Sequence, residues 1–192
     1  IENDLVTISV DTSGELLHKR GSKQAMARAP MRETMAALLL RRCGYAGQEP
    51  VVDPMCGSGT FIIEAAEIAL DLQAGRNRVF AFEQLAAFDA SACNTLRRSG
   101  KSRPLPFGFF GSDRDAGAIK AALSNAKRAG VEAVTSFAQK PVSETAPPDG
   151  PQGLVICNPP YGTRIGDTRA LRDQHVGAPV EDVDEHHAGE QR

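Results

Sequence analysis

A short apolar run, a glycine-rich turn and a helical pattern follow one another in the middle of the chain, and this order constrains the fold more than any other feature. Val51-Val52 is the apolar run, residues 53–60 read Asp-Pro-Met-Cys-Gly-Ser-Gly-Thr, and the helical pattern covers residues 61–70. A second unit repeats the order, with an apolar run at 107–110, a turn at 111–115 and a helix after it. Strands that alternate with helices predict an α/β fold with a doubly wound, mostly parallel sheet.

Residue types at the segment ends predict where the helices begin and end. Asp115 suits the N-cap of the helix in the second unit, and Gly130 suits its end. An earlier helix is expected to open at Ala29-Pro30 and to close at Gly44. Its apolar face is predicted to hold four residues, which are Met31, Met35, Leu38 and Leu39. The helix after the glycine turn carries a polar stripe opposite its apolar face, formed by Glu64, Glu67 and Asp71.

Several other segments have the patterns of strands. Residues 5–10 alternate as a strand does, and Leu16-Leu17 is expected to start a second short one. Residues 131–137 are predicted to be a further strand, and the continuous apolar run at 154–157 predicts a strand buried on both faces. Residues 71–106 fit either a helix or irregular structure. Four of their apolar residues are expected to pack into the domain: Phe80, Phe82, Leu85 and Phe88.

Composition excludes several classes of protein. The 192 residues are 41% hydrophobic and 24% charged, as in soluble globular domains. The chain holds no run of the roughly 18 apolar residues that a membrane span needs. Its first ten residues also lack the pattern of a signal peptide, so a cytoplasmic location is expected. Four widely spaced cysteines without a C-x-x-C pattern predict free thiols and no metal site, namely Cys43, Cys56, Cys93 and Cys157.

The charge is unevenly distributed along the chain. The net charge is −2, but residues 167–192 hold seven acids and three bases, which leaves 19 bases against 17 acids in residues 1–166. Basic clusters stand at His18-Lys19-Arg20, at Arg41-Arg42 and at Arg97-Arg98-x-x-Lys101-x-Arg103. Such clusters fit contacts with nucleic-acid phosphates, and they fit a solvated surface equally well.

Three candidate site segments fall where predicted strands end, and parallel α/β sheets bind ligands at that edge. The first is the glycine turn, whose candidate residues are Asp53, Pro54, Cys56, Gly57, Ser58, Gly59 and Thr60. Gly57 and Gly59 allow the backbone to approach a ligand closely, although a tight strand-to-helix turn alone would use them too. The spacing matches neither a dinucleotide fingerprint nor a P-loop.

The second segment holds Asp113, whose carboxylate could accept both hydroxyl groups of a ribose. The alternative role is a turn or cap residue, which Asp115 fits better. The third segment is Asn158-Pro159-Pro160-Tyr161. The amide oxygen of Asn158 and the carbonyl of Pro159 can each accept one N–H of a base amino group, and Tyr161 offers a ring for a splayed-out base. A rigid turn after a buried strand is the alternative.

The glycine turn and the Asn158–Tyr161 segment together resemble the amino-methylating class I methyltransferases, which use S-adenosylmethionine. Three further segments resemble the bacterial THUMP-containing 23S rRNA guanine-N2 methyltransferases, some of which are described as N6-adenine DNA methylases: Leu17-His-Lys-Arg-Gly21, Ala29-Pro-Met-Arg-Glu-Thr34 and Asn158-Pro-Pro-Tyr-Gly-Thr-Arg164. The resemblance covers about residues 5–166.

The resemblance implies roles for the site residues. Asp53, Gly57 and Gly59 would hold the methionine part of S-adenosylmethionine, Asp113 its ribose, and residues 158–161 the target base in large-subunit rRNA. The methyl group would pass directly to the amine, without a metal ion. Two other hypotheses stay open: methylation of adenine N6 in DNA or RNA or of a protein glutamine amide, and a non-catalytic module that binds S-adenosylmethionine or RNA. The sequence leaves the oligomeric state open.

The chain departs from this family in three places. A THUMP domain would precede it, so residues 1–28 are expected to be a lead-in to a methyltransferase domain at 29–166. Pro141 stands where many relatives carry an acid that meets the adenine amino group, and Ser143 or Glu144 could replace that acid. The fold would continue with three more strands, but residues 167–192 are rich in charge and hold no strand-like apolar run. These strands are therefore expected to be missing, and the tail is expected to be disordered or incomplete.

Overall fold

The computed structural model describes residues 6–20, 31–98 and 104–159 of the chain. The described helices are α1 (Glu33–Arg42), α2 (Thr60–Ala69), α3 (Ala90–Arg97) and α4 (Ala116–Ala129). The described strands are β1 (Val51–Asp53), β2 (Phe109–Asp113), β3 (Thr135–Gln139) and β4 (Leu154–Val155), and two short 3-10 helices cover Ala81–Gln84 and Val142–Glu144. Asn158 closes the first compact unit of the chain, and Pro159 belongs to a second one. None of the helices in these ranges is long and apolar enough to cross a membrane.

The four strands form one sheet in the order β3-β2-β1-β4, and every neighbouring pair is parallel. The predicted parallel α/β sheet is therefore confirmed. Val51 lies opposite both Phe109 and Leu154, which sets the register of β1 with its two neighbours, β2 and β4. The turn predicted to start at Gly111 starts three residues later, at Arg114, because β2 keeps its pairing with β3 through Asp113.

The bounds of β3 and β4 also differ from the predictions. The strand predicted at 131–137 begins only at Thr135, because Val131 still belongs to the end of α4: its N–H bonds to the carbonyl of Ala126 after Gly130 turns left-handed. Strand β4 ends at Val155, and it is not buried on both faces. Val155 is 68% exposed, because within the described ranges β4 is an edge strand that pairs with β1 alone.

The core lies between the sheet and the helices α2 and α4, which contact each other as well as the strands. Helix α2 is buried on nearly all sides, because α1 packs on it from the other side. The polar stripe of α2 is therefore mostly inside the protein. Glu64 and Glu67 are buried, and they pair with arginines from two other segments.

Two arginines neutralise these buried carboxylates. Arg20 Nη1 lies 2.9 Å from Glu64 Oε2 and 3.6 Å from Glu67 Oε2. Arg76 Nη2 lies 2.7 Å from Glu67 Oε1 and also donates to the carbonyl of Ala129. A buried charge without a partner would be costly, so these ion pairs fix the segment that ends at Arg20 against α2. Arg20 thus points into the protein, unlike the exposed phosphate contact or solvated residue that its basic cluster suggested.

The predicted apolar face of α1 is wrong for three of its four residues. The helix begins at Glu33, and it turns Ala36 and Leu40 inward, where both are fully buried. Met31 packs partly buried against the core, whereas Leu38 is 62% exposed and Met35 and Leu39 are also exposed. The small side chain of Ala36 allows close helix packing, which outweighs the larger apolar surface on the other side. The predicted start at Ala29-Pro30 lies outside the described residues, whereas Gly44 is left-handed and follows the helix as predicted.

The two strands predicted near the N-terminus are absent from residues 6–20. Val6, Ile8 and Val10 alternate as predicted, but Ile8 is 83% exposed and no described strand pairs with the segment. Leu16-Leu17 lies in a turn that the Lys19 N–H closes on the Leu16 carbonyl. The segment is held instead by Arg78, whose guanidinium donates to the carbonyls of Ser13 and Glu15.

The described part of the ambiguous segment before β2, residues 71–98 and 104–106, is irregular apart from the 3-10 helix and α3. Its aromatic rings pack on one another: the centroids of Phe80 and Phe82 are 5.1 Å apart, and those of Phe82 and Phe88 are 5.8 Å apart. Arg97 joins α3 to this cluster through Glu83 and the Arg78 carbonyl. The three phenylalanines are thus half-buried against one another and do not belong to the main core, and Leu85, which was also predicted to pack, is exposed.

Candidate functional site

The glycine turn is tied to the end of β2 by main-chain and side-chain hydrogen bonds. The Cys56 N–H donates to the Ser112 carbonyl at 2.9 Å, and the Gly57 N–H donates to Asp113 Oδ2 at 2.9 Å. Gly57 and Gly59 have φ angles of +52° and +83°, which glycine adopts without strain. The sequence predicted both glycines and Asp113 as site residues, and the structure brings Gly57 and Asp113 into direct contact.

The two glycines of the turn have different surroundings. A Cβ atom on Gly57 would meet nothing within 4 Å, so this part of the backbone borders open space that a ligand could enter. A Cβ atom on Gly59 would lie 3.0 Å from the Ala122 Cβ and from the ring of Phe137. Gly59 therefore allows close packing beneath the turn. Gly57 borders the open space above the turn, which we call the cradle.

Phe137 is a supporting residue that the sequence did not reveal. It lies opposite Gly111 in the β2–β3 register, and a Cβ on Gly111 would come within 2.7 Å of its ring. The same ring reaches Gly59. The absence of side chains on these two glycines thus lets the phenylalanine ring support the turn. Only the strand register shows this contact, because the three residues are far apart in sequence.

Asp53 ends β1 directly below the turn and is 2% exposed. Its Oδ1 accepts a hydrogen bond from the Met55 N–H at 3.0 Å. Burial raises the pKa of this carboxyl to about 7, the Met55 N–H acts in the opposite direction, and the negative charge of Asp113 raises the pKa further. A carboxylate that is costly to ionise at the floor of a cradle favours a cationic ligand group beside it.

Asp113 ends β2 beside the turn. Its Oδ2 accepts from Gly57 and its Oδ1 accepts from the Asp115 N–H at 2.9 Å, so each oxygen keeps capacity for a further donor. Asp115 caps α4 by accepting from the N–H groups of Gly117 and Ala118, as its sequence position predicted. The two acids therefore have separate structural positions, and Asp113 is the one that faces the glycine turn.

Asn158 lies at the same edge of the sheet, on the other side of β1. The Ile156 N–H donates to the Val52 carbonyl at 3.0 Å, which places Ile156 level with Asp53. Gly111 is also level with Asp53, so Asn158 and Asp113 each follow two residues beyond that level. The charge of Asp53 also reaches Cys157, where it adds to the effect of burial in raising the pKa of the thiol. The half-buried Asn158 is thus near the turn, whereas Pro160 and Tyr161 lie outside the described residues.

The loop after β3 approaches the site with hydroxyl groups. Pro141 follows the strand after Lys140 and opens the 3-10 helix, on which Ser143 and Glu144 are exposed. Thr145 Oγ1 lies 3.3 Å from the hydroxyl of the buried Ser112, next to Asp113. The Ser112–Thr145 contact had no signal in the sequence, since neither residue belongs to a motif.

A family model described as "UPF0020: RMKL-like, methyltransferase domain" matches residues 20–176. The chain is 40% identical over 175 residues to the ribosomal RNA large subunit methyltransferase K/L of Vibrio campbellii, covering 86% of this chain and 25% of that protein. It is 42% identical over 183 residues to the protein of the same name from a Marinomonas strain, covering 89% of this chain and 25% of that protein. The chain therefore spans about a quarter of the length of these curated relatives.

Two solved structures are similar in fold and sequence. A predicted N6-adenine-specific DNA methylase from Listeria monocytogenes superposes with a TM-score of 0.75 at 37% identity, covering 85% of this chain and 43% of that one. The protein SMU.472, solved in complex with SAH, gives a TM-score of 0.74 at 34% identity and covers 84% of this chain and 42% of that one. Because the family model covers most of its residues, the chain belongs to the family of RMKL-like methyltransferase domains.

Proposed function

We propose that this chain binds S-adenosylmethionine and takes part in methyl transfer to an exocyclic amino group of a base in large-subunit rRNA, namely guanine N2. The observation that carries the proposal is the single sheet edge at which the glycine turn, Asp113 and Asn158 meet. The names of the curated relatives support rRNA as the substrate, and the SAH complex of SMU.472 supports the cofactor.

The residues at this edge fit S-adenosylmethionine. The open space at Gly57 is a cradle that a single Cβ would begin to fill. The N-cap residue of α2 is Gly59, which has no side chain to cap the helix start, and the helix dipole favours a carboxylate there. Asp53 suits the cationic amino group, and the free capacity of Asp113 suits two ribose hydroxyls. When bound, the cofactor supplies a methyl group on a positively charged sulfur.

Asn158 has the central chemical role in this proposal. The lone pair of a base amino group is delocalised into the ring, which makes the nitrogen a poor nucleophile. The amide oxygen of Asn158 accepts one N–H and the carbonyl of Pro159 accepts the other, which directs the lone pair out of the ring plane. Both acceptors stabilise the positive charge that develops on nitrogen. Pro160 stiffens this segment, and Tyr161 stacks on the base.

The target base has a second candidate. The segments at 17–21 and 29–34 resemble the guanine-N2 enzymes, whereas the similar Listeria protein bears the name of an N6-adenine methylase. Both bases present an amino group conjugated to a ring, so Asn158 and Pro159 would treat them alike. Discrimination between guanine and adenine must therefore come from residues that contact the rest of the base.

Product analysis tests the proposed function and separates the two bases. The purified protein is incubated with S-adenosylmethionine labelled in the methyl group and with unmodified ribosomal RNA, which is then digested to nucleosides. We expect the label in N2-methylguanosine. Label in N6-methyladenosine would instead identify adenine as the target base. If S-adenosylhomocysteine binds but no nucleoside is labelled, the chain is a binding module without its own transferase activity.

The raised pKa of Asp53 predicts that cofactor affinity depends on pH. Below pH 7 the carboxyl of the free protein is largely protonated. A bound cationic amino group stabilises the ionised form, so binding releases a proton in this range. The affinity for S-adenosylhomocysteine should therefore rise by up to about tenfold per pH unit from pH 6 toward pH 7 and level off above it.

Titration calorimetry between pH 6 and pH 8 measures this dependence. Asp53→Asn should bind more weakly than wild type at pH 8 and show a nearly flat profile, whereas the exposed control Asp71→Asn should retain the wild-type slope. An Asp53→Asn variant with the full wild-type pH dependence would show that another group titrates.

A further inference from the structure

Asn125 is a buried amide within an otherwise apolar helix face. It is 2% exposed on α4, where the other buried side chains are alanines and Ile119. An amide at such a place costs stability unless it finds hydrogen-bond partners. Its Nδ2 donates to the main-chain carbonyl of Ser58 at 3.1 Å, and this contact links α4 to the glycine turn across 67 residues of sequence.

Ser58 is the middle residue of the turn, between two glycines that both have positive φ angles. Glycine crosses between backbone conformations more easily than any other residue, so the peptide groups on either side of Ser58 are the easiest in the turn to rotate. The bond from Asn125 holds the Ser58 carbonyl toward α4. On the other side, Asp113 holds the Gly57 N–H. The turn is thus held by two elements of the second strand–helix unit, α4 through Asn125 and β2 through Asp113.

Arg128 sets the orientation of the Asn125 amide. It lies one turn further along α4, and its Nη2 donates to Asn125 Oδ1 while its Nη1 donates to Ser124 Oγ at 2.6 Å. Because a guanidinium can only donate, the amide oxygen must face Arg128 and the amide nitrogen must face Ser58. The charge-assisted bond from Arg128 therefore determines which group Asn125 presents to the turn.

We propose that Asn125, oriented by Arg128, is a positioning residue that sets the glycine turn in the shape that binds the cofactor. This inference rests on the proposed function, since it assumes that the turn is the cofactor cradle. Asn125 contacts no reacting atom in this scheme. It acts through Ser58 on the backbone at Gly57, which borders the open space.

The substitution Asn125→Asp isolates the hydrogen bond to the turn. It keeps the size of the side chain and its bond to Arg128, but it places a carboxylate oxygen against the Ser58 carbonyl. We expect the Kd for S-adenosylhomocysteine to rise about tenfold or more, because a buried acceptor loses its donor. The value of kcat at saturating cofactor should stay within about twofold. Ser124→Ala, which removes the other partner of Arg128, is the matched control and should leave the Kd unchanged.

Hydrogen exchange of the turn amides separates positioning from a general loss of stability. In Asn125→Asp the amides of Gly57 and Gly59 should exchange faster, while those of β2 keep the wild-type rate. A fully folded Asn125→Asp protein with a wild-type Kd and wild-type exchange at the turn would overturn the proposal. If the wild-type chain does not bind S-adenosylhomocysteine, the proposed function fails. In that case the exchange rates of Asn125→Asp still test the link from Asn125 to the turn. Turn amides that exchange as in the wild type would overturn the link, and turn amides that exchange faster would uphold it.

Discussion

Replacement of Asn158 by alanine is expected to lower the rate of methyl transfer about 10²- to 10³-fold, by comparison with the loss of one hydrogen-bond partner of a transition state. The affinity for S-adenosylhomocysteine should stay within about twofold, because Asn158 lies on the other side of β1 from Asp113. A large loss in kcat without a loss of cofactor binding is what a contact to the target amine predicts.

Two further variants sharpen this test. Asn158→Asp keeps an acceptor oxygen at the same place, so it should retain more activity than Asn158→Ala. Asn94→Ala changes an exposed asparagine on α3 and should behave as wild type. Single-turnover measurement of labelled methyl transfer to unmodified rRNA compares the three proteins. Near-normal turnover by Asn158→Ala would show that this side chain does not hold the amine.

The parts of the fold that could be predicted depend on residues close together in sequence. Gly57 and Gly59 indicate a tight turn after β1, and Asp115 and Gly130 mark the ends of α4. Both predictions succeed because turns and helix caps depend on residues that are adjacent in sequence. The meeting of Asp113 with the turn followed from one additional rule, that parallel strands bring their carboxyl ends to a common edge. These predictions needed no knowledge of side-chain packing.

The parts that could not be predicted depend on partners from distant segments. The burial of Glu64 follows from Arg20 and from α1, which cover a helix face that a polar stripe would otherwise give to solvent. Helix α1 is the reverse case, because apolar residues on it are exposed. Apolar periodicity identified the helix but not the face that packs. Ile8 alternates with its neighbours as in a strand, yet the described residues provide no pairing strand.

Supporting residues of the candidate site were missed for the same reason. Phe137 and Asn125 are an ordinary strand phenylalanine and an ordinary helix asparagine when taken from the sequence alone. Their importance arises from the places that they reach, which are Gly59 for the ring and the Ser58 carbonyl for the amide. Such contacts link α4 and β3 to the turn, so they depend on how the second and third strands dock on the first.

Gly59→Ala is expected to destabilise the protein far more than Gly57→Ala, although both glycines belong to one turn. A left-handed alanine costs roughly 1–2 kcal/mol at either position. At Gly59 the new Cβ would also lie 3.0 Å from Ala122 and from Phe137, and such overpacking costs roughly 1–3 kcal/mol more. The free energy of unfolding should therefore fall by about 3 kcal/mol in Gly59→Ala and by about 1 kcal/mol in Gly57→Ala, against a typical total of roughly 5–15 kcal/mol.

Cofactor affinity should be lowered more by Gly57→Ala than by Gly59→Ala, which is the opposite of the order expected for stability. The Cβ of Gly57→Ala projects into the open cradle, so the Kd for S-adenosylhomocysteine should rise at least about tenfold in a protein that remains folded. Urea denaturation and calorimetry on the two variants measure both quantities. A double-mutant cycle with Phe137→Leu identifies the clash, because a smaller side chain should reduce the cost of Gly59→Ala but leave that of Gly57→Ala unchanged. Equal costs of Gly59→Ala in both backgrounds would show that the ring of Phe137 does not limit the turn.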